Sequence, residues 1–181
     1  MVGPRAKTRV LFLLGCALVL AAAVARAQAA SEYTVKAAFL YHFGKYVEWP
    51  KGAFKDDKAP FVIGVLGEDP FGHTLDDQVE GKTVDGRRVV VKRYTRAQDA
   101  RGAQILFITA SEEPRLPQTL HALAGAPVMT VGDLDRFAEN GGVAGFFIDD
   151  SKVHFTINVT MAAHADLKIS SQLLKLARIV N

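Results

Sequence analysis

The sequence has one cysteine, Cys16, in a chain of 181 residues. Cys16 lies in an apolar N-terminal segment with the features of a cleaved signal, so we expect the mature protein to contain no cysteine. This excludes disulfide bonds, thiolate metal sites and cysteine nucleophiles. An exported domain without disulfides depends on its hydrophobic core, and about 150 residues are enough to bury a sizeable one.

The sequence also lacks a second long hydrophobic run after the N-terminal one. The first run, Val10 to Ala25, follows three basic residues and is shorter than the roughly 20 residues needed to cross a bilayer. The small residues of Ala25-Arg26-Ala27 predict cleavage after Ala27, with cleavage after Ala29 as an alternative. We therefore predict a signal peptide over residues 1–27 and one exported domain over residues 28–181. A retained membrane anchor and a lipid attached to Cys16 are the less favoured alternatives.

The predicted mature chain has no excess of charge of either sign. Four of the 22 basic residues lie in the signal peptide, which leaves 18 against 19 acidic residues. This near-neutral balance argues against a nucleic-acid partner and against a polybasic membrane surface. The one dense basic patch, formed by Arg87, Arg88, Lys92 and Arg93, flanks three valines, and we interpret it as the solvated ends of a β-ribbon.

Local motifs for catalysis and metal binding are missing as well. The chain has no Gly-x-Ser-x-Gly elbow, and none of its five histidines lies three or four residues from another. Gly81-Lys82-Thr83 resembles the end of a phosphate-binding loop, but a hairpin and not a helix follows it. We therefore predict no catalytic residue, no metal site and no cofactor, and we do not expect an enzyme.

Apolar strand-like segments alternate with short helical ones along the rest of the chain. Phe61 to Leu66 and Ile105 to Thr109 are continuous apolar runs, as buried parallel strands are. Asp85-Gly86 predicts a hairpin turn. Helices are expected over Leu116–Leu123 and Leu134–Glu139, and two further strands over Val128–Val131 and Val143–Ile148. Lys152 to Ile157 alternates in polarity, which predicts an antiparallel strand at the edge of the sheet. The predicted fold is an α/β three-layer sandwich, with a mixed, mainly parallel sheet flanked by helices.

The segment from Ser31 to Trp49 predicts an amphipathic helix with an aromatic stripe. The stripe consists of Val35, Phe39, His42, Phe43, Tyr46 and Trp49. Core packing is the preferred interpretation of the stripe, and a groove for a ring-bearing ligand is the alternative. The loop from Gly67 to Phe71 follows a buried strand; tight turning is the preferred interpretation of its glycines, and a second place for a small ligand is the alternative. The ligand-groove candidates are His42, Tyr46, Trp49, Glu68 and Asp69.

The C-terminal segment from Ser171 to Val180 predicts a second amphipathic helix, with Ser170 as its N-cap. Its apolar face is expected to lie in the core and consists of Leu173, Leu176, Ala177 and Val180. Charged side chains on its other face can change with little effect on the fold, so that face is the better surface for a partner protein. The partner-binding candidates are Lys168, Ile169, Lys175 and Arg178.

From Ser31 onward the chain resembles the YfiR family of bacterial periplasmic proteins. Six blocks in order carry the resemblance: Val35–Tyr41 with Val47–Pro50, Phe61–Gly67, Gly81–Arg87, Ile105–Ile108, Thr130–Asp133 with Phe137-Ala138, and Leu167–Ser171 with Leu173–Arg178. The resemblance implies a non-enzymatic periplasmic regulator, often dimeric, that represses an inner-membrane diguanylate cyclase through the periplasmic part of the cyclase. It also implies an outer-membrane lipoprotein that sequesters the repressor. A periplasmic small-molecule-binding sensor is the alternative function.

Overall fold

The computed structural model describes residues 32–181. The predicted signal peptide over residues 1–27, its cleavage sites and Cys16 lie outside the described residues. Within them, no helix is long and apolar enough to cross a membrane.

An eight-stranded sheet forms the centre of the domain. Its strands lie in the order β10-β8-β7-β6-β5-β2-β4-β3, and β1 pairs separately with β9. The strands are β1 (Val47–Glu48), β2 (Phe61–Leu66), β3 (Thr83–Val84), β4 (Arg87–Tyr94), β5 (Ile105–Ile108), β6 (Met129–Gly132), β7 (Ala144–Asp149), β8 (Lys152–Asn158), β9 (Lys168–Ile169) and β10 (Arg178–Val180). The helices are α1 (residues 32–46), α2 (Thr74–Val79), α3 (Leu116–Leu123), α4 (Val159–His164) and α5 (Ser171–Leu174).

Five neighbouring strands, β4, β2, β5, β6 and β7, run parallel to one another. The other three pairings include two antiparallel ones, β7 with β8 and β3 with β4, which makes the sheet mixed. The second of these is the predicted hairpin, and Asp85 and Gly86 turn it with φ angles of 49° and 77°. Positive φ at both central residues is the geometry of the turn that suits two-residue hairpins.

Helices cover both faces of this sheet, which confirms the three-layer fold class. On one face α1 and α2 pack against the strands, with α1 placing Phe39 and Phe43 against Phe146 and Phe155. On the other face, α3 packs through Leu116 and Leu123 in a second apolar cluster. The two clusters are separated by the sheet itself, as expected for an α/β sandwich.

The predicted first helix is present, but its end and its buried face were wrong. α1 ends at residue 46, and Val35 and Tyr46 of the predicted stripe are 41% and 39% exposed. Ala37, which is not part of the predicted stripe, is fully buried. Gly44 is buried too, and a Cβ there would lie 3.1 Å from Val84 and 3.2 Å from Phe61. Small residues of α1 thus share the buried face with Phe43, and His42 and Tyr46 of the predicted stripe lie on the exposed side.

The predicted C-terminal helix was wrong over most of its length. Only α5 is helical, capped by the Ser170 side chain, which accepts a hydrogen bond from the Leu173 backbone N–H. Residues 178–180 form β10, a strand that pairs in parallel with β8. β10 lies outside β8, so β8 is not the edge strand that its alternation predicted. Leu176, which was expected in the core, is 71% exposed. Ile179 and Val180 are β-branched, and such side chains favour strands over helices. Pairing with β8 also supplies hydrogen bonds to the backbone of β10.

The predicted helix over Leu134–Glu139 is also incorrect. Residues 134–141 form a series of turns, in which Arg136 has a φ of 51° and Gly141 a φ of 104°. A left-handed residue in the middle of the segment interrupts any continuous right-handed helix.

Candidate functional site

The carboxyl ends of the parallel strands meet at one edge of the sheet, and Glu68 and Asp69 lie there, just after β2. After β2 the chain adds β4 on one side of it and then β5 on the other, so the order in which the strands are added reverses between β2 and β5. Ligands of open α/β sheets bind at such a switch point. Here the crevice is closed by the protein itself, because Ser111 Oγ accepts a 2.9 Å hydrogen bond from the Glu68 N–H and lies 2.9 Å from Thr109 Oγ1.

Asp69 is occupied within the protein. Its carboxylate accepts hydrogen bonds from the Phe71 N–H at 2.7 Å and from Arg93 Nε at 2.9 Å. Arg93 binds Asp76 with two nitrogen atoms as well, and its hydrogen bonds lower the pKa of the Asp76 carboxyl. These contacts join the loop after β2 to α2 and β4, so they stabilise the edge of the sheet and leave Asp69 with a structural role.

A buried lysine lies at the same edge, and the sequence analysis did not predict it. Lys36, 3% exposed, donates a 2.6 Å hydrogen bond to Asp133 and forms an ion pair with Glu32 at 2.5 Å. Tyr33 donates to the same Asp133 oxygen at 2.9 Å, and burial together with the Asp133 charge raises the pKa of the Tyr33 hydroxyl. A buried ammonium needs such partners, so this cluster fixes the start of α1 against the loop after β6. The spacing of Lys36 from Leu40, four residues along one helix face, is the signal in the sequence.

The remaining ligand-groove candidates lie at the opposite end of β2. Trp49 packs edge-on against Phe61, with ring centroids 5.0 Å apart, and its Nε1 donates to the Gln104 carbonyl at 3.2 Å. His42 is exposed, as Tyr46 is. A six-residue strand is about 20 Å long, so Trp49 and Glu68 do not line one groove. The structure therefore does not assemble the proposed groove from these five residues.

Trp49 lies instead beside one of the partner-binding candidates. A surface cavity of about 160 Å³ is lined by Glu48, Trp49, Pro50, Asp166 and Lys168. Lys168 and Ile169 form β9 and pair with Glu48 and Val47 of β1. Their backbone thereby holds the end of α1, while the Lys168 side chain is exposed.

Lys175 and Arg178 lie further along, where the chain enters β10. Arg178 stacks on the Phe147 ring at 4.3 Å, and that ring stacks on His154 at 5.6 Å between centroids. Leu176 and Ile179 are among the exposed large hydrophobic residues of the described chain. We call Phe147, His154, Leu176 and Arg178 the β10 surface.

An apolar cavity of about 450 Å³ lies elsewhere, between α3 and α4. Its lining consists of small and aliphatic residues with a few polar ones: Leu120, Leu123, Ala124, Gly125, Ala126, Val128, Thr130, Gly141, Val143, Met161, His164 and Ala165. Local sequence patterns do not reveal this cavity, because its walls come from three separate stretches of the chain, residues 120–130, 141–143 and 161–165, with no shared motif. Among residues 32–181, no three His, Cys, Asp or Glu side chains are grouped to hold a metal ion.

The family model described as YfiR/HmsC-like matches residues 33–178. That range covers nearly all of the described chain. The chain belongs to the YfiR/HmsC-like family. Proteins of this family are periplasmic regulators in cyclic-di-GMP signalling and not enzymes, and membership supports the same role here.

Two solved structures align with about two thirds of this chain. A conserved domain protein from Vibrio cholerae O1 biovar El Tor aligns with a TM-score of 0.51 and 13% identity, over 66% of this chain and 54% of that one. The ABC domain in complex with L-Trp from Streptococcus pneumonia aligns with a TM-score of 0.49 and 12% identity, over 66% and 55%. The chain spans about half the length of these two proteins. At 13% identity the first likeness concerns the fold alone. No curated protein shows significant sequence similarity to this chain.

Proposed function

We propose that this protein represses an inner-membrane diguanylate cyclase by binding the periplasmic part of the cyclase through the β10 surface. The observation that carries the proposal is the exposure of Leu176, at 71%, beside an arginine already stacked on an aromatic ring. Arginine and aromatic side chains are the residues that most often dominate binding energy. An exposed leucine contributes about 1.5 to 3 kcal/mol of favourable binding free energy when a partner buries it completely.

The stacking of Arg178 on Phe147 favours this surface for a second reason. Holding the guanidinium over the ring orders a long side chain before binding, so less rotamer entropy is lost when a partner arrives. Repression then requires only that the β10 surface binds one state of the cyclase better than the other. A tenfold difference in affinity between the two states corresponds to about 1.4 kcal/mol.

The test combines a deletion with a folded variant. Deleting the gene should raise cellular cyclic-di-GMP, and wild-type protein should restore the original level. A Leu176→Ser, Arg178→Glu variant should fold normally, fail to restore that level and bind the purified periplasmic domain of the cyclase at least tenfold more weakly.

A matched control replaces one exposed hydrophobic residue and one exposed cation far from this surface. Val35→Ser, Lys55→Glu has the same changes of polarity and charge, and it should repress as the wild type does. Unchanged cyclic-di-GMP in the deletion strain would contradict the repressor function. If the β10 variant binds the cyclase domain with wild-type affinity, the interface lies on another part of the protein.

The proposal includes two further partners that the family implies. An outer-membrane lipoprotein would compete with the cyclase for the repressor, and a second copy of the chain would form a homodimer. Competition should appear as displacement of the cyclase domain when the purified lipoprotein is added. Sedimentation equilibrium of the protein alone gives the state of association.

A ligand-sensing function has one specific observation in its favour, the apolar cavity between α3 and α4. At about 450 Å³ it lies within the size range of small-molecule sites. Screening metabolites by thermal shift should find a stabilising compound whose effect is lost in Ala165→Leu, which fills the cavity. A compound that stabilises both proteins equally would place the binding elsewhere.

A further inference from the structure

The loop between β6 and β7 contains the sequence Asn140-Gly141. Asn140 is exposed, and its carboxamide forms one hydrogen bond with the described chain, from Nδ2 to the Asp135 carbonyl at 3.3 Å. That distance is longer than the roughly 2.7 to 3.2 Å of an ordinary N–H···O bond. The Asn140 side chain is therefore held weakly and can change rotamer at little energetic cost.

The group that follows this side chain is the backbone nitrogen of Gly141. Gly141 has no Cβ, so the approach to this nitrogen is open. Its N–H donates to the Ala138 carbonyl at 3.4 Å, which is again a long hydrogen bond. The nitrogen therefore loses little free energy when it leaves that bond, and it is free to meet the Asn140 carboxamide.

Asn158 has the opposite arrangement in the same chain. It is 5% exposed, its Oδ1 accepts from the Met161 N–H at 2.9 Å, and its Nδ2 donates to the Ala138 carbonyl at 3.0 Å. The residue after it, Val159, is β-branched and crowds its own backbone nitrogen. Burial, two hydrogen bonds and a bulky neighbour thus protect the Asn158 carboxamide.

Asparagine is among the thermally labile residue types, and we propose that Asn140 is a site of spontaneous deamidation. The Gly141 backbone nitrogen attacks Cγ of Asn140, so that a C–N bond forms, the Cγ–Nδ2 bond breaks, and ammonia leaves with the proton of the attacking N–H. Water then opens the resulting five-membered imide at one of its two carbonyl carbons. Opening at Cγ gives aspartate. Opening at the backbone carbonyl gives isoaspartate, whose main chain is one carbon atom longer.

The two products affect the loop differently. Aspartate keeps the main chain and adds one negative charge, whereas isoaspartate also inserts a carbon atom before Gly142. The Gly142 N–H donates to the Phe137 carbonyl at 3.0 Å, and Gly142 packs so closely on the Phe137 ring that a Cβ there would overlap it. Phe137 itself is 1% exposed. A longer main chain cannot keep both contacts, so isoaspartate should loosen the loop.

The modified loop borders the β10 surface. Three of its residues, Asp135, Arg136 and Glu139, line a cavity of about 130 Å³ together with Phe147 and Arg178. Deamidation therefore changes the charge of a segment beside the surface that we propose for the cyclase. The reaction itself needs no partner protein, so the inference goes beyond the proposed function and does not depend on it.

The test is incubation of the purified mature protein at mildly alkaline pH, followed by peptide mass spectrometry. The peptide that contains Asn140 should gain one dalton at least tenfold faster than the peptide that contains Asn158, and it should separate into aspartate and isoaspartate forms. The gain should slow at mildly acidic pH, because the attacking nitrogen reacts in its deprotonated form. Asn140→Gln, the matched control, should gain no mass there, since glutamine would have to close a six-membered ring.

A second measurement separates the charge from the longer main chain. Asn140→Asp carries the charge on an unchanged main chain and should melt as the wild type does, whereas the isolated isoaspartate form should melt several degrees lower. Equal mass gain at Asn140 and Asn158, or equal gain in Asn140→Gln, would overturn the inference. An isoaspartate form with the wild-type melting temperature would contradict the predicted loosening. None of these measurements involves the cyclase or cyclic-di-GMP, so a failure here is distinguishable from a failure of the proposed function.

Discussion

Leu173 and Leu176 provide the sharpest test of the C-terminal structure, because they are three residues apart and differ in burial. Leu173 is 3% exposed and packs in the main core, whereas Leu176 is 71% exposed. Leu173→Ala removes three buried carbon atoms, worth about 2.4 kcal/mol at about 0.8 kcal/mol each. The cavity left behind raises the expected loss of unfolding free energy to about 3 to 4 kcal/mol. Leu176→Ala leaves no cavity and should change the unfolding free energy by less than about 0.5 kcal/mol.

Urea titration followed by circular dichroism measures both changes against the wild type. The slope of unfolding free energy against urea should be the same in all three proteins, so that a shift of midpoint reports stability alone. In a domain of this size, the Leu173 variant should also melt roughly 6 to 16 °C lower. Equal losses in the two variants would refute the assignment. They would mean that residues 171–180 form one helix with Leu176 in the core.

Three further perturbations test other parts of the structure. Asp133→Ala leaves the buried Lys36 ammonium with Glu32 alone, and it should lower the free energy of unfolding by about 3 kcal/mol in chemical denaturation. Asp135→Ala, at an exposed position, is the control and should change the free energy of unfolding by less than about 0.5 kcal/mol. Equal effects of the two substitutions would contradict the ion-pair cluster. Gly67→Ala, at a φ of 97° and with its Cβ 2.3 Å from Thr109 Oγ1, should lower the thermal midpoint by several degrees, and an unchanged midpoint would show that no strain arises there. Arg115 donates hydrogen bonds that lower the pKa of the Glu112 carboxyl below its ordinary value of 4.5. This carboxylate therefore stabilises the fold above pH 4.5, and the stabilisation is lost as the pH falls from 4.5 through the lowered pKa. Glu112→Gln should therefore flatten the loss of stability between neutral and acidic pH, and a profile parallel to that of the wild type would contradict this.

Local patterns predicted the parts of the fold in which neighbouring residues determine the conformation. The apolar run Phe61 to Leu66 is a buried strand, because both faces of a parallel sheet are covered. Asp85-Gly86 is the hairpin turn, since these residues tolerate positive φ. Ser170 caps a helix, because its hydroxyl accepts a hydrogen bond from a free N–H of the first turn.

The errors concern contacts between residues far apart in the sequence. The spacing within α1 puts Lys36 on the buried face, but its ion-pair partner Asp133 lies 97 residues away, so the sequence of α1 does not identify the pair. Residues 178–180 form a strand because β8 is adjacent in space, so tertiary pairing overrides the apolar spacing of a helix. The ligand-groove candidates lie apart for a related reason. Trp49 and Glu68 precede and follow the same strand, and a strand separates its two ends by its full length.

The pairing of β1 with β9 has a consequence for when the protein can fold. It joins Val47 to Ile169, and the other anchors of α1, such as Asp133, Phe146 and Phe155, also lie in the second half of the chain. During synthesis, α1 thus lacks these partners until most of the polypeptide has emerged. Domains dominated by such non-local contacts fold slowly. The topology itself therefore delays folding, and a nascent chain that stays open longer is the form that a translocation channel can thread.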